Sequence, residues 1–412
     1  MIEKQLKYKK NTLADIISAT MYQYDSRQIK PSDIYISLPG GEKYIPGALE
    51  KGAASYIKAD RKKMAELANA YYDNPSQKLC VIGITGTNGK TTVAHLVGQA
   101  LKKAGFNPYV QGTLTGKLTT PESLDTIRAM SEHLQNKGTH FIMEVSSHAI
   151  AQDRISGIIF HTKLLTNITQ DHLDYHKTFE AYSQTKLSFM NDNNPNRFLP
   201  ETTERVPLRF ASPLSGAFNY KNMQAAVQIL KACGLNEAQI QDTLSNATPP
   251  PGRFETIDEG QGFKVIVDYA HTPDGLKNVL QEAQVLATKT HGKVRVLFGC
   301  GGERDRTKRP KMGTIAHHYA DHIVITQDNP RSEDPAKIIE EILAGIPQTK
   351  IPCEVILDRK QAIQHIINLA QDSDIVMIAG KGHETHQIIN GKTLPFDDRE
   401  EVRNALKLKR KS

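Results

Sequence analysis

A glycine-rich segment, GITGTNGKTT at residues 83–92, offers the clearest chemistry in the sequence. Glycines let such a turn come close to a ligand, so that its N–H groups and the start of the following helix face an anion. Lys90 would add a cation for the outer phosphates of a nucleotide, and the Thr91 hydroxyl would hold magnesium. The strict phosphate-loop pattern has glycine six residues before the lysine, where this chain has Ile84, with Gly83 one residue earlier. We therefore interpret the segment as a variant phosphate loop rather than a turn that binds nothing, with Lys90 exposed in the loop.

The residues on both sides of this segment predict the elements that position it. The apolar run at 79–82 reads as a strand, and the apolar residues of 93–101 recur at helical spacing. Two further apolar runs, FIMEV at 141–145 and KLLTNI at 163–168, predict neighbouring strands. Ligands bind beyond the carboxyl ends of the strands in an open parallel sheet. We therefore expect the polar side chains near these strand ends to gather around the phosphate loop: Glu144, His148, Asp171, His172, Asp174 and His176.

Two of these side chains are candidate metal ligands. Glu144 and His172, together with the Thr91 hydroxyl, would serve magnesium beside a triphosphate, because magnesium keeps few protein ligands and takes the rest from water and phosphate. Four histidines within 148–176 leave zinc as an alternative, although that stretch has no cysteine and no HExxH spacing. An ordinary hydrogen-bonded histidine is the other interpretation of His172, and its place after a sheet strand favours the ligand.

Composition narrows the class of protein. The 412 residues suggest two or three domains, and the net charge of +7 suits a phosphate-rich small substrate. Tryptophan is absent and aromatic residues make up only 6%, so stacking platforms for nucleic acid are not expected. The four cysteines form no CxxC pair, which indicates buried thiols in a reducing cytoplasm. No apolar run approaches the ~18 residues of a membrane span. We therefore expect a cytoplasmic monomer with no membrane insertion.

The sequence divides into three predicted units. They are a small amino-terminal α/β unit at 1–77, a central unit at 78–247 and a carboxyl-terminal unit at 248–412. Within the central unit, residues 191–217 are polar and broken by prolines, so they read as a loop, with RFASPL at 209–214 as a short strand.

The carboxyl-terminal unit alternates regularly between strands and helices. Apolar runs that start at residues 263, 294, 322 and 374 predict a second doubly wound sheet. Polar clusters follow these strands too, which predicts a cleft between the two sheets. Arg304 and Arg331 lie in glycine- and proline-rich turns here, and their planar forks, with Glu384, suit a ligand that bears carboxylates and an amine. Ordinary surface ion pairs explain these three residues equally well.

Nine motifs occur together, in one order, along nearly the whole chain. They are GITGTNGKTT, EVSSHAIAQDR, LTNITQDHLDYH, SQTKLSF, PPPGRFE, VDYAHTPD, FGCGGERDRTKRP, DNPR and AGKGHE. With this set the chain resembles the Mur ligase family, whose phosphate loop has the same variant form. Within the family, the motifs are most similar to the branch that adds meso-diaminopimelate, the third peptide residue, to a UDP-muramoyl dipeptide.

The resemblance implies a three-domain α/β architecture and an ATP-dependent amide ligase. One small amino-terminal domain would bind the UDP end, a central phosphate-loop sheet would bind ATP, and a Rossmann-like carboxyl-terminal sheet would bind the amino acid. Lys90, His172 and Lys186 would take part in catalysis. Lys186 matches the lysine that such ligases carbamylate, so that its acquired carboxylate supports a second magnesium ion. The implied metal ligands are Thr91, Glu144, His172 and Lys186.

The resemblance also assigns three sets of binding residues. The ATP-binding set is Gly86, Thr87, Asn88, Gly89, Lys90, Thr91, Thr92, Asn222, Arg253 and Asp268. The UDP-substrate set is Ser26, Thr119, Thr120, Ser146, Gln152 and Arg154. The amino-acid set is Arg304, Asp328, Asn329, Pro330, Arg331, Gly380 and Glu384. His271 is left unassigned, and so are uracil contacts near residues 40–44, where the chain aligns poorly with the family.

One departure and two rival functions accompany this interpretation. Segment 191–217 is much shorter than in family members. The nearest rival is another ligase of the superfamily, such as a folylpolyglutamate synthase, and the motifs DNPR and EVSSHAIAQDR argue against it. The rival from another class is a nucleotide-binding homologue that has lost ligase activity. For the amino acid, Arg331 with Asn329 offers donors that suit a distal carboxylate, so the sequence predicts meso-diaminopimelate over L-lysine.

Overall fold

The computed structural model describes residues 21–116, 118–203, 205, 207–347 and 351–410. Within these ranges the chain forms three sheets with helices packed against them, and one small hairpin. The predicted α/β class, with a parallel central sheet, is confirmed. The unit boundaries after residues 77 and 247 stay predictions, and residues 1–20 of the amino-terminal unit lie outside the described residues.

The first sheet is small, parallel and packed against the rest of the molecule. Its elements are β1 (Tyr22–Gln23), β2 (Ile34–Ser37), α1 (Ile45–Glu50), β3 (Ser55–Lys58) and α2 (Arg61–Tyr71), with single 3-10 turns at Glu42–Tyr44 and Pro75–Gln77. The strand order is β1-β2-β3. Buried Ile36 and Met64 share one apolar cluster with Phe141 and Met143 of the central sheet. This cluster joins the amino-terminal unit to one face of the central sheet.

The central sheet has five parallel strands. Its strands are β4 (Cys80–Thr85), β5 (Pro108–Gln111), β6 (His140–Glu144), β7 (Thr162–Leu165) and β8 (Arg197–Phe198). The helices are α3 (Lys90–Lys103), α4 (Ser123–Gln135), α5 (Ser147–Ala151), α6 (Leu173–His176), α7 (Phe179–Ser188), α8 (Pro200–Thr203), α9 (Ala217–Ala232) and α10 (Glu237–Leu244). The strand order β5-β6-β4-β7-β8 puts β4 in the middle. Buried Ile84, Leu96 and Met223 pack α3 and α9 onto the face opposite the amino-terminal unit.

The third sheet has six strands, five of them parallel. Its strands are β9 (Glu255–Ile257), β10 (Lys264–Asp268), β11 (Val294–Phe298), β12 (His322–Ile325), β13 (Cys353–Val355) and β14 (Ile375–Ala379). The helices are α11 (Pro273–Thr290), α12 (Lys308–Tyr319), α13 (Pro335–Leu343), α14 (Arg359–Leu369) and α15 (Asp398–Lys409), and a hairpin pairs β15 (His386–Ile389) with β16 (Lys392–Pro395). The order is β13-β12-β11-β14-β10-β9, with β9 antiparallel at the edge. Apolar clusters on both faces cover it with helices.

The structure corrects the interpretation of residues 191–217. The predicted strand at 209–214 is wrong, because these residues form bends and irregular backbone, and Pro213 has no N–H for a ladder. The edge of β7 is instead paired by β8, within the stretch predicted to be loop. The short helix α8 follows it. Across the described ranges, no helix combines the length and apolar character needed to cross a membrane.

Candidate functional site

The phosphate loop connects the end of β4 to the start of α3. Gly86 and Gly89 have φ of 137° and 90°, a region that favours glycine. A Cβ on Gly86 would lie 1.9 Å from Oγ1 of Thr166, the residue after β7, so only glycine fits here. Lys90 is the first residue of α3 and is part-buried, and its Nζ atom donates to the Gly86 and Thr87 carbonyls at 2.8 and 2.9 Å. The expectation that Lys90 is exposed in the loop is therefore wrong, and burial lowers its pKa.

A cleft of about 550 Å³ opens above this loop, between the central and carboxyl-terminal sheets. Polar side chains of both sheets line it. From the central unit these are Thr87, Asn88, Lys90, Thr91, Thr92, Thr119, Glu144, Ser146, Asp171, His172 and Asn222, and from the carboxyl-terminal unit Arg253, Asp268, His271 and Asp274. The predicted cleft therefore exists, and all ten residues of the predicted ATP-binding set lie at it or in its loop.

Glu144 is the side chain around which the cleft is organised. It accepts from the Thr91 hydroxyl at 3.0 Å and from the Thr113 N–H and hydroxyl at 3.0 and 3.1 Å. Arg253, from the other sheet, donates to the Thr91 hydroxyl at 3.1 Å. Two of the predicted magnesium ligands, Thr91 and Glu144, are thus in direct contact. Both offer oxygen atoms, the donors that magnesium prefers.

The other two predicted magnesium ligands approach the loop differently. His172 lines the cleft with φ of 55°, and its Nε2 atom lies 3.3 Å from Asp171 Oδ2. Burial lowers the pKa of His172 to about 3, so the imidazole is neutral at pH 7 and able to bind a metal. Lys186 is buried and donates to the Gly86 carbonyl at 2.8 Å. Burial first, and then the charge of Lys90, lowers the pKa of Lys186 well below its usual value.

Only half of the polar cluster predicted around the loop reaches the cleft. Glu144, Asp171 and His172 line it. His148 and His176 instead pack ring against ring behind His172, with centroids 4.8 Å apart for His148–His172 and 5.7 Å apart for His148–His176. Asp174 is exposed on α6 and outside the cleft lining, so its predicted place is wrong. Asp174 and His176 are two positions apart in the single turn of α6, so their side chains point in different directions.

Two residues that line the cleft, His271 and Asp274, were not assigned to the site from the sequence. Asp171 lies between two imidazoles, since His271 Nε2 of the carboxyl-terminal unit is 3.7 Å from its Oδ2 atom. Burial alone would raise the pKa of Asp171, but the nearby His271 imidazole, with His172 and Lys308, holds it well below its usual range. Asp274 accepts from Asn88 Nδ2 at 2.9 Å. Both His271 and Asp274 belong to the quoted motif VDYAHTPD, which was the available signal.

Five of the six residues predicted to bind the UDP substrate form one connected group. Thr120 donates its hydroxyl to the Glu144 backbone carbonyl at 2.8 Å and accepts from the Ser146 N–H at 3.0 Å. Arg154 donates to the Thr120 carbonyl at 3.1 Å and to Gln152 Oε1 at 2.5 Å. Thr119 reaches the same group through the Thr113 hydroxyl at 3.2 Å. Ser26 lies apart, in a turn of the amino-terminal unit whose carbonyl accepts from Lys51.

The predicted amino-acid residues converge beyond the carboxyl ends of β12 and β14. Asn329 Nδ2 donates to Glu384 Oε2 at 2.9 Å, and a Cβ on Gly380, φ 114°, would lie 2.7 Å from Asp328 Oδ2. Lys381 was missed: it is buried and donates to Glu384 at 3.0 Å. Burial would raise the pKa of Glu384, and the Lys381 ammonium more than offsets this.

The two arginines of this group are free of acidic partners. Arg331 has φ of 56°, follows Pro330, and donates to the Gly302 carbonyl at 2.6 Å. Arg304 donates to the Glu303 carbonyl at 3.1 Å. Neither guanidinium is within ion-pair distance of a carboxylate in the part of the chain that the structure describes. The alternative of ordinary surface ion pairs is therefore wrong for these two residues.

Comparison with known proteins places the chain. Residues 84–202 match the model of the Mur ligase middle domain, and residues 252–382 match that of the Mur ligase, glutamate ligase domain. A UDP-N-acetylmuramoyl-L-alanyl-D-glutamate--2,6-diaminopimelate ligase of Geobacillus thermodenitrificans is 37% identical over 475 residues, covering 96% of each chain. The ligase of that name from Solibacter usitatus is 38% identical over 460 residues, covering 93% of this chain and 92% of the relative. Both alignments are longer than the 412 residues of this chain, which therefore lacks residues that these relatives have.

Solved structures agree in fold. The structure of a UDP-N-acetylmuramoyl-L-alanyl-D-glutamate--2,6-diaminopimelate ligase is 28% identical with a TM-score of 0.59, covering 94% of this chain and 95% of that one. The MurF ligase from Thermotoga maritima in complex with ADP is 15% identical with a TM-score of 0.63, covering 95% and 98%, and shows the shared fold. With relatives above 30% identity along nearly its full length, this chain belongs to the Mur ligase family.

Proposed function

We propose that this chain is the ATP-dependent ligase that adds meso-diaminopimelate to UDP-N-acetylmuramoyl-L-alanyl-D-glutamate, a cytoplasmic step of peptidoglycan precursor synthesis. The substrate carboxylate attacks the γ-phosphate of ATP, giving an acyl phosphate and ADP. The amine of diaminopimelate then attacks the acyl carbon, an amide bond forms, and phosphate leaves. The names of the full-length relatives support this reaction. So does the cleft, which joins the predicted nucleotide and UDP-substrate groups and whose Tyr269 hydroxyl donates to Glu384 of the amino-acid group at 3.4 Å.

The observation that carries the proposal is the double role of Glu144. Its carboxylate contacts Thr91 in the phosphate loop, while its backbone carbonyl accepts from Thr120 in the predicted UDP-substrate group. A nucleotide phosphate on the loop and a substrate carboxylate held by that group would therefore approach each other across one residue. Phosphoryl transfer depends mainly on such positioning and on charge stabilisation.

The nucleotide half of the site fits ATP with magnesium. The start of α3 and Lys90 supply a positive field for phosphate oxygens, and Asn222 packs so closely on Gly89 that a Cβ there would lie 2.5 Å from its Oδ1 atom. Thr91, Glu144 and neutral His172 would hold magnesium, which would neutralise charge on the transferred phosphoryl group. Asp268 accepts from the Phe254 and Ala270 N–H groups, both at 2.7 Å, and so fixes the turn that carries Arg253.

Lys186 fits the carbamylation that the family resemblance implies. A carbamate forms when a neutral amine adds to carbon dioxide, making an N–C bond and releasing one proton. Burial lowers the pKa of Lys186 well below its usual value, which favours the neutral amine, the reactive form. The product is a carboxylate beside the phosphate loop and would replace a buried amine by an oxygen donor for a second magnesium.

The carboxyl-terminal group fits the distal end of meso-diaminopimelate. Arg331 and Arg304 have no acidic partner among the described residues, so a ligand carboxylate would complete them. Glu384 and Asp328 would take the distal ammonium. L-Lysine has the ammonium without the carboxylate and would leave both guanidinium groups facing a cation, which disfavours it.

An ADP-release assay tests the proposal. Purified protein is supplied with ATP, magnesium, the UDP-muramoyl dipeptide, and either meso-diaminopimelate or L-lysine. We expect ADP and a tripeptide product that require both the dipeptide and diaminopimelate. ADP release with a folate and glutamate in place of these substrates would favour the folylpolyglutamate synthase alternative. Nucleotide binding without ADP release under any pairing would show that the chain has lost ligase activity.

A further inference from the structure

A second chemical group lies at the end of the central sheet that faces away from the cleft. Cys80 is the first residue of β4, six residues before Gly86 of the phosphate loop, and His140 is the first residue of β6. The two are Cα partners in the parallel register. Cys233 follows the last residue of α9. Strand and helix ends that are far apart in sequence thus bring two thiols and an imidazole together.

The spacing of these three side chains suits a bridging metal ion. The Cys80 and Cys233 Sγ atoms are 3.9 Å apart, and one ligand atom from each residue lies within 4.8 Å of the others. Zinc–sulfur bonds of about 2.3 Å in a tetrahedral site hold two sulfurs roughly 3.8 Å apart. A disulfide would need about 2.05 Å. Within the described ranges this is the one cluster of three or more such side chains with metal-binding spacing.

The surroundings of the cluster favour a bound cation. The Nδ1 atom of His140 lies 2.9 Å from the Thr139 hydroxyl, a hydrogen bond that fixes the ring and leaves Nε2 for a metal. Two thiolates, a neutral imidazole and a divalent cation would together be neutral, which suits this part-buried position.

We propose that Cys80, Cys233 and His140 bind a zinc ion, with water as the fourth ligand. The two cysteines are only part-buried, so water reaches the open position. Both cysteines bind the metal as thiolates, and their thiol protons are released to solvent. The ligands come from two strands and one helix end, so the ion would clamp α9 to the sheet. Cys80 and Cys233 already pack at the margin of the apolar cluster that joins them.

The clamp would act on the frame of the cleft rather than on the reaction. The helix α9 has 16 residues, about 24 Å of helix, and its first turn carries Asn219 while Asn222 packs on the phosphate loop. Fixing its far end to β4 would stabilise the central unit as a whole. The site is thus expected to raise thermal stability, because a ligand that binds only the folded chain shifts the unfolding equilibrium.

Metal analysis with matched variants tests the proposal. The reduced full-length protein is stripped with a chelator, loaded with zinc, desalted and analysed for metal by mass spectrometry. A parallel sample is loaded with cobalt and its absorption spectrum recorded. The variants are Cys80→Ser, Cys233→Ser and His140→Gln. Cys353→Ser serves as the control, because Cys353 is also part-buried but lies in β13 of the other sheet.

We expect about one zinc per chain in the wild type and in Cys353→Ser, and we expect Cys80→Ser and Cys233→Ser to lose that zinc. Cobalt should give thiolate-to-metal charge-transfer absorption, and zinc should raise the melting temperature by a few degrees in the same two proteins. The cobalt spectrum of the wild type tests the idea even if a variant fails to fold. Wild-type zinc content no higher than that of Cys80→Ser, or a Cys80–Cys233 disulfide in the zinc-loaded protein, overturns it.

Discussion

Replacing Arg331 should weaken the use of diaminopimelate selectively. The guanidinium is held by the Gly302 carbonyl at 2.6 Å and more weakly by the Asn329 carbonyl at 3.4 Å, and it faces no described carboxylate. No described carboxylate lies within ion-pair distance of this guanidinium, so a substrate carboxylate would be its acidic partner. Alanine keeps a Cβ, as arginine does, so Arg331→Ala leaves the strain of φ 56° unchanged.

The size of the effect follows from one charge-assisted contact. Hydrogen bonds to charged groups contribute about 1.5–3 kcal/mol, and the part-buried position of Arg331 favours the lower half of this range. A loss of about 2 kcal/mol corresponds to roughly 30-fold in kcat/KM. The contact exists in both the bound substrate and the transition state, so the loss should raise KM for diaminopimelate and change kcat little.

The assay is ADP release at saturating ATP and dipeptide, with diaminopimelate and L-lysine varied in turn. Arg331→Lys should also have a much lower kcat/KM for diaminopimelate than the wild type, because an ammonium cannot replace the planar fork. Arg306→Ala is the matched control, since Arg306 is an exposed arginine of the same unit and already pairs with Glu341. Unchanged kcat/KM for diaminopimelate in Arg331→Ala, or equal use of lysine by the wild type, refutes the reasoning.

Three further perturbations test other parts of the site. Lys90→Ala should abolish ADP release and, because Lys90 donates to two loop carbonyls, lower the melting temperature slightly. The control Lys102→Ala, on the same helix, should do neither. Near-normal turnover in Lys90→Ala would contradict the nucleotide site. Lys186→Ala should lose activity that a short-chain acid partly restores, and a bare ammonium in a crystal structure with ligands would count against the carbamate. Burial lowers the pKa of His383 to about 4, so as pH falls this histidine is protonated in the unfolded chain before it is protonated in the folded chain. Stability should therefore fall between pH 6.5 and about 4, by at most about 3 kcal/mol, and His383→Gln should flatten this part of a melting curve series.

The sequence predicted the features that depend on local order. Glycines at 86 and 89, an apolar run before them and a helical period after them are contiguous, and the structure has strand, loop and helix there. The rule that ligands lie at strand ends placed Glu144, Asp171 and His172 correctly. Asp174 failed because the rule gives no direction for a side chain within a short helix. Segment 209–214 failed because its apolar residues predicted a strand without showing which edge was free for pairing.

The features that were missed depend on contacts between distant parts of the chain. Cys80 and Cys233 are separated by 153 residues, and nothing near either of them predicts that α9 ends beside β4. Lys381 contacts Asn329 and Glu384 because β12 and β14 end at the same edge of one sheet, and the sequence does not show that these two strands share an edge. Lys90 was expected to be exposed, because a loop sequence does not show that its own carbonyls will accept from the lysine.

The cleft is built so that neither sheet completes it alone. Asn88 of the phosphate loop bonds to Asp274, Gln170 bonds to Asp305 and Thr307 at 3.1 and 2.9 Å, and Arg253 reaches across to the loop at Thr91. A nucleotide on the loop would therefore be held by groups from both units only when the two are together. An acyl phosphate is destroyed by water, so a site that forms on closure protects the intermediate while the amine is delivered from the other sheet. The same contacts that assemble the nucleotide site would thus also limit the access of water to the intermediate.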